Sequence, residues 1–324
     1  MRIARALLVL AAGAAFAAGA APLDDLAREA AAGSAEAKGE IERQATAGDA
    51  HAEHLMGMMH ISGKGAELSD SQALEWFLRA ARKGRADSQH NAAVIYERTT
   101  GTLKDSAEAR RWYRAAAEQG LARSQAKLGA LLIDGIGGEA NLDEGTAWLE
   151  KAAALGEPYG RYRLGMLYLE GRGVERNVDT AAKLIQQAAE GGDREAGYRL
   201  ALLHGTGAGV EKSDEKALVW LRKSAGQGLP EAEYLLATIF GTGQYGVARD
   251  DKMAARWMRR AAVQGFADAE FSLGLAYAEG RGVKKDPKEA YGWMLRASRR
   301  GHAPAVAYVK EIQGKLEKKR QPRE

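Results

Sequence analysis

Small and apolar residues return along most of the chain at helical spacing, in paired segments divided by glycine loops. The pattern is plainest near the end. Ala269, Leu273, Gly274 and Tyr277 share one face of a predicted helix near Ala267 to Glu279, and Ala196, Leu200, Ala201 and His204 repeat that face earlier. The segment Gly280-Arg281-Gly282-Val283 follows, and Gly171-Arg172-Gly173-Val174 matches it. Glycine there stops the helix by adopting positive φ, and the valine folds back into the core. A second helix then starts at Asp286 with Pro287 in its first turn, where a missing N–H costs nothing, and ends at Gly301.

This two-helix unit recurs with a period of 36 residues. Trp76, Trp112, Trp148, Trp220, Trp257 and Trp293 are separated by 36, 36, 72, 37 and 36 residues, and Leu184 fills the midpoint of the double gap. A glycine closes each unit, at Gly84, Gly120, Gly156, Gly192, Gly228, Gly265 and Gly301. Seven residues before each tryptophan position stands a helix N-cap type: Ser69, Asp105, Asn141, Asn177, Ser213, Asp250 or Asp286. Gln72, Glu108, Glu144 and Glu289, three residues on, predict capping boxes. The extra residue of the 37-residue unit lies in Gly243-Gln244-Tyr245-Gly246-Val247.

The units cover 49–84, 85–120, 121–156, 157–192, 193–228, 229–265 and 266–301. Residues 21–48 read as a degenerate capping helix pair with Ser34 as a cap, and 302–324 as a closing helix and basic tail. The expected fold is all-α: one solenoid of stacked antiparallel helix pairs, right-handed by analogy with other helix-pair repeats, with no domain boundary inside it. The second unit, with Ala92-Ala93 and Thr99-Thr100-Gly101-Thr102 in place of the usual signals, is the expected weak joint, where curvature changes.

Residues 1–20 stand apart. Arg2 and Arg5 precede an apolar run from Ala6 to Ala18, small residues follow, and no acid occurs before Asp24. This reads as a cleaved secretory signal peptide, cut after Ala20, and places the mature chain in the periplasm or outside the cell. No later run reads as a membrane span. The formal net charge of +4 falls to +2 when Arg2 and Arg5 are removed, too small a bias to indicate nucleic acid. Cysteine is absent, which excludes disulfide scaffolds, thiol nucleophiles and lipidated N-terminal cysteines.

The unit resembles the Sel1-like repeat family, a relative of the tetratricopeptide repeats. Its fullest copy here joins Ala269, Leu273-Gly274, Tyr277, Gly280-Arg281-Gly282-Val283, Asp286, Ala290, Trp293, Ala297 and Gly301. The resemblance covers roughly residues 49 to 301 and implies a non-enzymatic adaptor that holds protein partners. Exported members with one disulfide per repeat are poor models for a chain without cysteine, and so are their reported lactamase activities.

Candidate chemistry is thin. His51, His54 and His60 cluster, with Glu53 and Asp49 nearby, but the spacing His51-Ala52-Glu53-His54 is not that of a zincin, and no metal site is expected. His60 and His204 occupy the register held elsewhere by Tyr96, Leu132, Tyr168, Phe240 and Tyr277, which assigns them to packing. Gly-x-Gly loops follow helices, not strands, and no βαβ pattern receives them, so no nucleotide or other cofactor is expected. No Gly-x-Ser-x-Gly elbow or distinctive carboxylate pair is present.

Binding is better supplied. In stacked helix pairs the first helices line the concave side, where the pattern places Arg123, Lys127, Tyr162, Arg163, Tyr198, Arg199 and Tyr234. Tyr162, Tyr198 and Tyr234 are 36 apart and form a ladder, either open to the groove or buried between the helices of each pair. Arg163 and Arg199 recur at the same interval, a basic strip suited to an acidic peptide or an anionic glycan. The expected partner is a protein or peptide, with cell-wall glycan or exopolysaccharide as the alternative. The tryptophan register is assigned to packing, not to sugar stacking. The tail from Lys315 to Arg323 is either a solvated end or a contact for anionic lipid or an acidic partner.

Overall fold

The computed structural model describes residues 21–99 and 103–320, and the side chains of 23–99 and 103–313. The predicted signal peptide, the second-repeat loop at 100–102 and the change of curvature expected there lie outside the described residues. In chain order the helices are α1 (Ala21–Ala31), α2 (Ala35–Thr46), α3 (Ala50–Ser62), α4 (Asp70–Arg82), α5 (Ala86–Arg98), α6 (Ser106–Glu118), α7 (Ala122–Asp134) and α8 (Leu142–Ala154). There follow α9 (Pro158–Glu170), α10 (Val178–Glu190), α11 (Arg194–Thr206), α12 (Asp214–Gly226), α13 (Pro230–Thr242), α14 (Asp251–Val263), α15 (Ala267–Glu279), α16 (Pro287–Arg299) and α17 (Ala303–Arg320).

The architecture is an all-α solenoid of stacked antiparallel helix pairs. Odd helices from α3 to α15 are the first members of pairs, here A helices, and the even ones that follow them are B helices. Within each compact part of the chain, B helices pack on their own A helix and on the next one, as in α3–α4–α5 and α13–α14–α15. The chain forms two compact units, one ending at Arg163 and the other beginning at Leu164. That division falls within α9 and not at a linker, as expected where each repeat touches only its neighbours.

Small residues set the spacing inside a pair. A Cβ added to Gly57 would lie 2.6 Å from the Phe77 ring, and one on Gly129 would lie 2.8 Å from the Gly145 carbonyl oxygen. The residue after the tryptophan position, more than the tryptophan itself, fills the space so created in every repeat but the sixth, where Met258 is half-buried. Phe77, Tyr113, Leu149, Ile185 and Met294 are wholly enclosed. Trp112 and Trp293 are buried, but Trp76, Trp148, Trp220 and Trp257 are only half-buried.

The N-cap oxygens accept from first-turn N–H groups, for example Asp105 from Ala107 and Glu108, and Asn177 from Thr180. The second half of the predicted capping box is not formed. The N–H of Asp105 already donates to the Tyr96 carbonyl, and those of Asn141 and Asp286 donate to Leu132 and Tyr277. The freed carboxylates of Glu108, Glu144 and Glu289 instead accept from the indoles of Trp112, Trp148 and Trp293. Cations cover the other side of the indoles, as with Lys151 at 4.1 Å from the Trp148 ring centre.

The repeats are also tied by one recurring hydrogen bond. A carbonyl in the last turn of each of α4, α6, α8, α10 and α12 accepts a side-chain donor from the following repeat. Gln89, Gln125 and Arg161 donate to Ala81, Ala117 and Ala153 at 3.1, 3.2 and 3.2 Å. The same A-helix position is Gly197 or Glu233 farther on, and neither side chain can donate. There Lys223 and Arg260 reach across from the B helix of the same repeat, to Ala189 and Ala225 at 3.3 and 3.1 Å. Every joint in this series thus satisfies a carbonyl that packing would otherwise strip of water.

At the first end, α1 and α2 cover the apolar face of α3 through Ala30, Ala37, Ile41 and Ala45 packed with Ala52 and Met56. At the other, Ala305 and Val309 of α17 are buried where it packs on α16.

Candidate functional site

The predicted groove residues lie on A helices, and all of them are half-buried. In the first unit three of the predicted cations are already neutralised. Arg123 pairs with Asp87 at 2.5 Å, Lys127 with Glu97 at 3.1 Å, and Arg163 with Asp134 at 2.9 Å. Tyr159 ties two of them together. Lys127 Nζ is 5.3 Å and the Arg163 guanidinium 5.9 Å from its ring centre, and Arg163 donates to its hydroxyl at 3.1 Å. Glu97 also accepts from the Tyr113 hydroxyl at 2.5 Å. Burial, with the Glu97 carboxylate, holds that phenol well above its usual pKa, so it remains a donor. Tyr159, Glu97, Asp87 and Asp134 therefore belong to the site, although only Tyr159 is suggested by the A-helix pattern in the sequence.

In the second unit Arg199 differs. It forms no ion pair or hydrogen bond among the described residues, and its Nε is enclosed without a partner. Lys127 and Arg163, at the equivalent position of earlier repeats, both have acids. Arg199 is thus the one of the four predicted groove cations left to be met by an external anion.

The tyrosines of the register are half-buried and differ in what they meet. Tyr234 reaches the next repeat: its hydroxyl is 3.1 Å from Ser272 Oγ of α15, and its ring is 5.4 Å from Phe266. Tyr198 packs on the cluster of Ala201, Leu221 and Ala225. Burial raises its hydroxyl pKa. Tyr162 is half-buried. In the first unit His54 and His90 take the same register and contact the next repeat likewise, each with Nδ1 2.8 Å from a serine Oγ, of Ser88 and Ser124. Burial, aided by nearby arginines, lowers both imidazoles to about 3, so they are neutral packing groups.

The histidine cluster of the sequence is dispersed. His51 meets Asp24 at 2.9 Å, His54 turns to Ser88, and His60 meets the Glu67 carbonyl at 2.9 Å. His204 makes the equivalent contact with the Glu211 carbonyl at 3.0 Å, and both His60 and His204 are buried. Among the described residues no group of three or more His, Asp or Glu is placed to hold a metal ion. No described helix is long and apolar enough to cross a membrane. An open depression in the second unit, lined by Phe240, Val247, Arg249, Asp250, Asp251 and Lys252, contains none of the predicted groove residues.

Comparison with known proteins agrees with this architecture. The family model of the Sel1 repeat matches residues 50–84, 86–121, 122–157, 158–193, 194–229, 230–266 and 267–302. The chain is similar to a Sel1 repeat protein from Oxalobacter formigenes, with 29% identity, 90% of this chain and 85% of that one covered, and a TM-score of 0.65. It is also similar to c5321, a protective antigen present in uropathogenic Escherichia coli strains, with 30% identity, 91% and 68% covered, and a TM-score of 0.58. Yeast Tom70 shares the fold alone, at 14% identity, 89% and 60% covered, and a TM-score of 0.51. No curated protein matches the chain.

Proposed function

The chain belongs to the Sel1 repeat family, and from that membership we propose an exported adaptor that captures a protein or peptide on its A-helix face. The repeat fold is that of a non-catalytic interaction scaffold of the tetratricopeptide-like kind. The observation that carries the finer reading is Arg199, a half-buried guanidinium with no acid beside it. A carboxylate from a partner would complete it, with Tyr198 supplying adjacent contact area. Arg123, Lys127 and Arg163 contribute more weakly, because a partner must compete with Asp87, Glu97 and Asp134 for them.

Two observations support action outside the cytoplasm: the leader-like composition of residues 1–20, and the protective antigen among the relatives. Glycan recognition would need open tyrosine faces, whereas Tyr198 and Tyr234 spend much of theirs on packing. A protein partner is therefore the favoured reading.

The test is crosslinked capture from the native envelope by the full chain and by Tyr198→Ala combined with Arg199→Ala. The proposal expects a defined protein adduct that the double variant loses, while Lys183→Glu on the B-helix side keeps it. An identical adduct pattern for all three proteins would refute the A-helix assignment.

A further inference from the structure

The last two repeats hold a charge excess that the A-helix face does not use. From Arg249 to Gly301 twelve basic residues stand against seven acidic ones. The acids are all engaged. Asp250 and Asp286 cap helices, Asp251, Glu270 and Glu279 pair with arginines, Asp268 meets His302, and Glu289 accepts from Trp293. By contrast, Lys252, Arg256, Lys284, Lys285, Lys288 and Arg299 are exposed, and none is in an ion pair among the described residues.

These six form one surface. Lys252 and Arg256 are a turn apart on α14, and Lys288 and Arg299 are three turns apart on α16, so each pair lies on a single helix face. Lys252 and Lys288 both stand two residues after their N-caps and therefore point the same way. The two helices lie side by side. At one end Gly282, before α16, abuts the Asp251 carbonyl; at the other, a Cβ on Gly265 would meet the Arg300 guanidinium. Lys284 and Lys285 extend the surface at the head of α16. Its middle is open: a Cβ added at Gly292 would meet nothing within 4 Å.

We infer that the outer face of α14 and α16 is an electrostatic docking surface for a bilayer carrying anionic phospholipid. Charge complementarity requires an anionic occupant, and the relief selects among occupants. A protein interface needs a desolvated anchor near its centre, ringed by polar groups. This surface carries exposed cations; Lys252 borders the open depression that Phe240 and Val247 help to line, and Val263 is the one exposed large apolar side chain on α14 and α16 among the described residues. A layer of phosphate headgroups needs only that density of exposed cations, each adding to the attraction while the layer adapts its shape around a single apolar side chain. The inference is independent of the A-helix reading, since it uses different residues on different helices.

Co-sedimentation of the full chain with vesicles tests it. Neutral phosphatidylcholine vesicles should leave the protein in solution, and vesicles with about 30% phosphatidylglycerol should pellet it at about 0.1 M NaCl but release it at about 0.5 M. Lys252→Glu, Arg256→Glu and Lys288→Glu together should lower the partition coefficient about ten-fold or more, with an unchanged thermal melt, while Lys183→Glu on α10 has no effect. If the reversed triple melts early, the same three positions changed to Gln give the comparison. The proposal falls if anionic vesicles do not bind at low salt, or if the triple variant binds like the parent. It also falls if only a chain ending at Gly314 loses binding, which would assign the attraction to the tail, or if polyglutamate binds where vesicles do not, which would make the occupant an acidic protein.

Discussion

Arg260 encloses Glu233 at a repeat joint: its guanidinium meets the carboxylate at 2.7 Å, with the acid side chain 1% exposed and the arginine 47%. Gln264 holds the other carboxylate oxygen at 2.7 Å. Burial raises the Glu233 pKa, and the two donors offset only part of that. A raised native pKa means that the folded state holds the proton more tightly than the unfolded one. The group's contribution is therefore greatest below the ordinary carboxylate value and is lost as pH climbs through the raised one. Arg260→Ala should cost about 3 kcal/mol at pH 7, by leaving a buried charge unpaired. Urea melts should show that cost shrinking as the pH is lowered, because burial raises the Glu233 pKa and the carboxylate takes up a proton above the ordinary carboxylate range. Glu233→Gln added to Arg260→Ala should recover most of the loss at pH 7.

Asp193 gives a second pH signature. It caps α11 by accepting from the Ala196 N–H at 2.7 Å. Burial, reinforced by Glu195, raises its carboxyl to about 6 against the pull of those N–H groups. Its contribution is thus present in acid and lost between the usual aspartate range and about pH 6. Asp193→Asn keeps an equally good cap without the charge. The variant should exceed the parent by about 1 kcal/mol in thermal melts at neutral pH, and the two should converge in acid.

The second glycine of the loop is governed by contact as well as by φ. Gly282 has φ +68° and lies so close to the Asp251 carbonyl that a Cβ would overlap it. Gly246 has a similar φ of +69°, yet a Cβ there would meet nothing within 4 Å. Gly246→Ala should cost about 1 kcal/mol from backbone strain alone, and Gly282→Ala about 3 kcal/mol or more as the two repeats are pushed apart. Equal melting temperatures for the two variants would contradict this division.

The helix pairs are legible because their signals are repeated and local. The sequence reading of α15 from its apolar spacing, and of Ser34 as a cap, agrees with the helices found at Ala267–Glu279 and after Ser34. The deepest core was harder to read. Phe77, Tyr113, Leu149, Ile185 and Met294 vary in chemistry, so the invariant-looking tryptophans beside them attract attention that their burial only partly supports. The capping boxes fail for a reason that lies outside the helix: a carbonyl of the preceding A helix reaches the N-cap N–H first. Likewise, nothing in the local pattern tells that Tyr234 turns to Ser272 of the next repeat, or that Arg199 is the one of the four predicted groove cations without an acid, because partners 29 to 38 residues away decide both.

The side-chain bond at the five joints from α4 to α12 makes those repeats individual despite their common outline. Gln125 carries its own donor to Ala117, while Glu233 depends on Arg260 to reach Ala225. A module lifted from one place and spliced into another would keep its shape but could bring an acceptor where a donor is wanted. Shortening or lengthening this chain by recombination therefore succeeds only when the A-helix residue travels with whichever cation serves it, a constraint that ties its evolution to pairs of distant codons.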